Sequence, residues 1–258
     1  MIKLILFDTI LIAMDVLVLI AAKRIAKTEK AKRLILLIVP LLTMGCHYSS
    51  LLYHFLKDGT ALGFLKSNPN LLLPIYPCNV VMWCGILFGL RKNKSTKIGR
   101  FLADYLFWFG LFAALVGMFV NIDFIRNPTL ADYDVTKGIV AHALMLLNVL
   151  AIPVLGQIRI DLPKNYGNIL VSMLMMFLVG CYCNLVFEVI SSRETAVQVN
   201  SMFLLQSPFP ELPFVRYPVI CLAAAVFYFA LLCACELFAY PKGQRWVSRY
   251  RKSPYRKG

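Results

Sequence analysis

The chain has 258 residues, of which 60% are hydrophobic and 16% charged, with a mean hydropathy of +0.71. That composition excludes an ordinary soluble domain, which needs a polar surface, and reads as an integral membrane protein. The formal net charge of +14 comes from basic residues bunched between apolar runs, a topology signal and not a nucleic-acid footprint, so DNA and RNA are set aside as partners.

A membrane helix needs roughly 20 apolar residues. Seven runs approach that length, at about 2–22, 34–56, 72–90, 101–120, 138–157, 168–190 and 213–239. The first holds Asp8 and Asp15, is too long for a signal-peptide core and lacks a small-residue cleavage site before Lys23 and Arg24, so it is expected to persist as a helix. Its two carboxylates, seven residues apart on one face, are expected to bond to Ser, Thr or Tyr of a neighbouring helix, with a proton or cation path as the alternative.

The second run carries His47 and His54, again seven apart and so about two turns from each other on one face. The third opens with Leu73-Pro74-Ile75-Tyr76-Pro77-Cys78-Asn79. Pro77 cannot donate a backbone hydrogen bond, which puts the Cys78 thiol near a helix N-terminus, where partial positive charge favours an anionic sulfur. In the fourth run Asp104 lies near a basic edge and is expected to pair with Arg100 or Lys97. His142 enters about four residues into the fifth, which also holds Asn148; the sixth holds Asn184 and Glu188 as further interhelical hydrogen-bonders. The connection at about 191–212 is too short for a core of its own. Its Pro208 and Pro210, with Pro213, stiffen the approach to the last run.

The connections after the first, third and fifth runs, with the C-terminal tail, hold 20 of the 27 basic residues. The positive-inside rule therefore places the N-terminus outside and the C-terminus in the cytoplasm. The resulting expectation is an all-α polytopic bundle of seven transmembrane helices over residues 1–239, followed by a basic cytoplasmic tail, 240–258. With Trp246, Tyr250 and Tyr255 among its cations, the tail reads as binding anionic lipid in preference to RNA. Most of the eight cysteines lie within apolar runs and read as packing residues.

On this topology Cys78, Asn79, His47, His54 and His142, from three helices, share the outer half of the membrane. All three histidines of the chain are in that layer, and imidazole suits proton transfer near neutral pH. A Cys–His pair is the minimal arrangement for a nucleophile that forms a thioester and passes the acyl group on. The bland alternative is a buried thiol and a hydrogen-bonded histidine. Glu188, near the outer end of its run, is a further candidate base or orienter of an imidazole. Three histidines without a carboxylate at helical spacing make a poor metal site, so neither metal nor soluble cofactor is expected.

The motif Leu73 to Asn79, with Gly138-Ile139-Val140-Ala141-His142 two runs later and Asn200-Ser201-Met202-Phe203-Leu204 before the last, resembles a known family over nearly the whole chain. It is similar to the bacterial YwaF-like integral membrane proteins, whose eukaryotic relatives include transmembrane protein 164. Tyr76 stands where the family pattern has a histidine, and Ser201 where it often has an aromatic. The resemblance implies a cysteine acyltransferase that moves fatty acyl chains between phospholipids, with Cys78 as nucleophile and His142 as its partner. Asn200 lies in the third family motif, and His47, His54, Tyr76 and Asn79 would orient or bind. Together these expectations describe a multi-pass enzyme of the bacterial plasma membrane acting on membrane phospholipids. The rivals are a transporter or channel using the same polar layer, which would need a polar inner half that the sequence does not suggest, and a non-catalytic lipid-binding protein.

Overall fold

The computed structural model describes residues 2–120, 124, 128–207 and 212–251. Among these the fold is all helical: α1 (Ile2–Ile25), α2 (Glu29–Asp58), α3 (Leu62–Ser67), α4 (Pro77–Leu90), α5 (Lys97–Phe119), α6 (Tyr133–Val154), α7 (Leu162–Ile190), α8 (Arg193–Val199), α9 (Tyr217–Ala239) and α10 (Trp246–Arg251). Arg126, Pro208, Pro210 and the tail beyond Arg251 fall outside the described residues.

Local chemistry sets the helix ends. The Thr28, Thr96 and Asp132 side chains each accept from a backbone N–H three residues on, at 3.1 Å, and so cap α2, α5 and α6. Gly59 ends α2 at φ +72°, a conformation glycine adopts without strain. These polar caps start α2, α5 and α6 four or five residues before the apolar runs read from sequence.

Six helices, α1, α2, α5, α6, α7 and α9, are long and apolar enough to cross a membrane. The third expected span, 72–90, is shorter than the sequence reading. Only Pro77–Leu90 is α-helical, 14 residues or about 21 Å, and Pro69–Leu71 forms a separate 3-10 turn. Pro74 and Pro77 interrupt the hydrogen-bond ladder although Leu71 to Leu73 continue the apolar run, so Pro77 becomes the first residue of the helix.

Four glycines set the register of the central helices α2, α4, α5 and α6. A Cβ at Gly89 would overlap the backbone of Leu36 and Leu37, and one at Gly85 would lie 3.0 Å from Pro40 Cβ and 2.7 Å from Asn148 Nδ2. Gly110 likewise seats Val149, and Gly117 seats His142. Without side chains at these points the backbones approach closely, the usual device of membrane helix interfaces. Phe88, Leu106, Val149 and Ile152 fill the space between, each 0–1% exposed.

Because Gly89 meets backbone, a methyl there cannot be relieved by turning a side chain. Gly89→Ala is expected to cost about 1–3 kcal/mol through overpacking. Thermal unfolding in detergent checks this, with Gly45→Ala as control, since a Cβ at Gly45 meets nothing within 4 Å.

Candidate functional site

The register fixes which side chains share a depth. α2 and α4 run antiparallel through the pairs Leu36/Gly89 and Pro40/Gly85; seven residues further on, His47 comes opposite Cys78. α4 and α6 meet at Gly85/Asn148, and α5 and α6 at Gly110/Val149 and Gly117/His142. Cys78, His47, His142 and Gly117 thus lie at one level of the bundle to within about one helical turn, about 5 Å. His47 and His142 are close enough to feel each other's charge.

His142 is oriented on two sides. Its Nδ1 lies 2.8 Å from Gly138 O; a carbonyl only accepts, so Nδ1 carries the proton and, in the neutral ring, Nε2 keeps the lone pair. The Nε2 edge packs on Gly117. The lack of a side chain at Gly117 is what makes room for the imidazole. His47 is within hydrogen-bonding reach of the Asn70 backbone, and its Nε2 is buried without a hydrogen-bond partner among the described residues.

Cys78 is a part-buried free thiol, the second residue of α4. Tyr76 N donates to Asn79 Oδ1 at 3.1 Å, and Asn79 N donates to Tyr76 O at 3.0 Å, so this turn of chain is tied through Asn79. Asn79 is buried, and its carbonyl oxygen serves that cap.

The two outlying motifs meet in space. Ile75 O accepts from Ser201 Oγ at 3.0 Å and from Met202 N at 2.9 Å, and the Tyr76 ring stacks on Phe203 with centroids 5.7 Å apart. Asn184 grips Ser201 from α7, accepting from its N–H at 2.9 Å and donating to its carbonyl at 3.2 Å. Asn200, Met202 and Phe203 all have φ near +50°, a strained region for non-glycine residues that persists where the surroundings over-determine it. Asn200 itself stabilises the loop, accepting from Leu205 N and Gln206 N and donating to Gln206 O. Gly180 lets the loop approach α7: a Cβ there would lie 2.7 Å from Leu204 Cδ1.

Other expected residues lie elsewhere. His54, seven residues beyond His47 along α2, bonds to Asp134 at 2.8 Å, approaches Asp58 at 3.4 Å and stacks on Phe64. It ties α2 to the first turn of α6 and does not join Cys78's level. Glu188 is exposed and pairs with Arg193 at 2.7 Å, because it sits on the outward face of α7. Glu188→Gln is therefore expected to leave stability within about 0.5 kcal/mol and any Cys78 chemistry unchanged, by melting temperature and adduct assay.

Three buried acids also differ from expectation. Asp104 bonds to Asn165 Nδ2 at 2.8 Å and to Asn168 Nδ2, and not to Arg100 or Lys97, because α7 packs directly over its side chain. Asp8, fully buried, has no hydrogen-bond partner on either carboxylate oxygen among the described residues, and neither has Asp15 Oδ2. The part of α6 that meets Leu4, one turn from Asp8, presents Val135 and Ile139, which offer no donor.

Helices of this length and apolarity, around a part-buried layer of thiol and imidazole, define a polytopic all-α membrane protein. Its sequence matches the model of the TMEM164 family over residues 2–235, and the chain belongs to that family. No curated protein and no solved structure matches it.

Proposed function

We propose that this chain is a cysteine-dependent acyltransferase acting on phospholipid in the outer leaflet of a cell membrane. The observation that carries the reading is the shared depth of Cys78 and His142, with the Cys78 turn braced by the Asn200–Leu204 loop. Cys78 Sγ, its proton passed to His142 Nε2, attacks an acyl ester carbon. The carbon–oxygen bond breaks, His142 returns the proton to the departing lysolipid oxygen, and a thioester remains. In the second half His142 takes the proton of an acceptor hydroxyl, that oxygen attacks the thioester, and the proton goes back to the released sulfur. His47, level with Cys78, is a candidate to steady the developing oxyanion when its unpartnered Nε2 carries the proton.

A transporter reading draws support from a polar cleft at the other end of the bundle, lined by Asp104, Asn165 and Asn168, where sequence suggested an apolar inner half. Against it, Val81, Phe88, Leu106, Val149 and Ile152, all 0–1% exposed, lie in the core between that cleft and the Cys78 level. A transport path needs polar access from both sides.

Intact-mass measurement of the purified protein supplied with phospholipid, before and after hydroxylamine, tests the proposal. The expected result is a fatty-acyl adduct removed by hydroxylamine, absent in Cys78→Ala and strongly slowed in His142→Ala. A reduced Cys78 that never acquires the adduct would overturn the acyltransferase reading.

A further inference from the structure

At the end of the bundle away from Cys78, an open cleft of about 1010 Å³ lies among the first turns of α2, α5 and α7 and the connections that lead into α5 and α7. Six basic side chains line it: Lys32, Lys94, Lys97, Arg100, Arg159 and Lys164. Its three carboxylates are already engaged, Glu29 with Lys32 at 2.7 Å, Asp161 with Lys164 at 2.8 Å, and Asp104 with Asn165 and Asn168. Among the described residues Lys97 and Arg159 make no ion pair, and Arg100 feels Asp104 only at a distance. Six cations against three carboxylates leave positive charge in excess within one concave space.

Two further features sharpen that field. The N-termini of α2, α5 and α7 converge on the cleft, and each adds partial positive charge. Burial, and after it the charge of Arg33, pushes the Lys94 ammonium below its ordinary value, as crowding of like charge does. Basic residues that only mark topology project singly into headgroups and solvent, whereas these six share a hollow whose walls focus the potential.

The geometry points to the phosphate-bearing headgroup of an anionic phospholipid as the ligand of this cleft. The cleft lies at the ends of the membrane helices, the depth at which lipid phosphates sit. Ala103 and Ile158 add apolar wall on which the first acyl carbons rest. This site is separate from Cys78 and does not depend on acyl transfer.

The test is a thermal-shift titration of the full chain in neutral detergent with phosphatidylglycerol, phosphatidylcholine or inorganic phosphate. Phosphatidylglycerol is expected to raise the melting temperature saturably, and phosphatidylcholine is not. Lys97→Gln and Arg159→Gln should each weaken phosphatidylglycerol about fivefold, the effect of one basic residue near a lipid surface, and together about 25-fold. Lys57→Gln, outside the cleft, should not. If the double variant fails to fold, the singles decide. Unchanged affinity in both singles overturns the cleft as the site. Saturation by inorganic phosphate alone, with no preference for the lipid, overturns the lipid as its ligand.

Discussion

Replacing Gly117 by alanine should slow acyl-adduct formation by about 10²–10⁴, to the level of His142→Ala, although residue 117 carries no chemistry. A Cβ at that position would overlap Cδ2 and Nε2 of His142. The ring cannot slide away freely, because its Nδ1 is held by Gly138 O on its own helix at 2.8 Å. Either the hydrogen bond breaks and the imidazole turns out of place, or α5 and α6 move apart. The first outcome costs general-base catalysis; the second adds about 1–3 kcal/mol of instability, partly offset by alanine's better helix propensity of about 1 kcal/mol. The double variant Gly117→Ala with His142→Ala separates these effects. If Gly117 acts through His142, adduct formation in the double variant is no slower than in His142→Ala alone. A Gly117→Ala protein that acylates at the parental rate would show that His142's present seat is not needed.

The helical class and the approximate positions of most spans were legible, because apolar runs of membrane length have few other physical outcomes. The Cys78 motif was legible too, since a proline at residue 77 leaves little choice but to start a helix there. What stayed hidden was pairing across space. Asp104 had basic neighbours four and seven positions to its N-terminal side on one helix, the natural partners by spacing, yet its hydrogen bonds run to Asn165 and Asn168, 61 and 64 residues away. Periodicity tells which face of a helix a residue occupies and not which helix covers that face. For the same reason Glu188 read as a site candidate from its depth alone, while rotation about α7 turns it outward to Arg193. Nothing in the sequence marks Gly117, because only the structure shows what its missing side chain admits.

Loss of the Asn184 side chain should cost at least about 1–3 kcal/mol and should reach Cys78 without touching it. The carboxamide closes a reciprocal pair with the N–H and carbonyl of Ser201, which is fully buried. Asn184→Ala leaves the Ser201 N–H unpaired, at about 1–3 kcal/mol, and leaves the Ser201 carbonyl with the 3.3 Å bond from Leu204 N alone. It also releases restraint from a loop in which Asn200, Met202 and Phe203 sit at φ of 48°, 54° and 56°, conformations costing about 1–3 kcal/mol apiece that persist only while contacts enforce them. The same loop supplies both donors to Ile75 O, three residues before Cys78, so relaxation of the loop frees the start of α4. The expected result is a lower melting temperature in detergent together with faster labelling of Cys78 by a maleimide below that temperature. Asn184→Asp, which keeps an acceptor for the Ser201 N–H, should fall between the parent and Asn184→Ala. Ser201→Ala, which removes the hydroxyl's bond to Ile75 and its contact with the Cys183 thiol, should cost about 1 kcal/mol. Parental melting and parental labelling in Asn184→Ala would mean that Phe203 stacked on Tyr76, and not the asparagine, holds the loop against the cysteine turn.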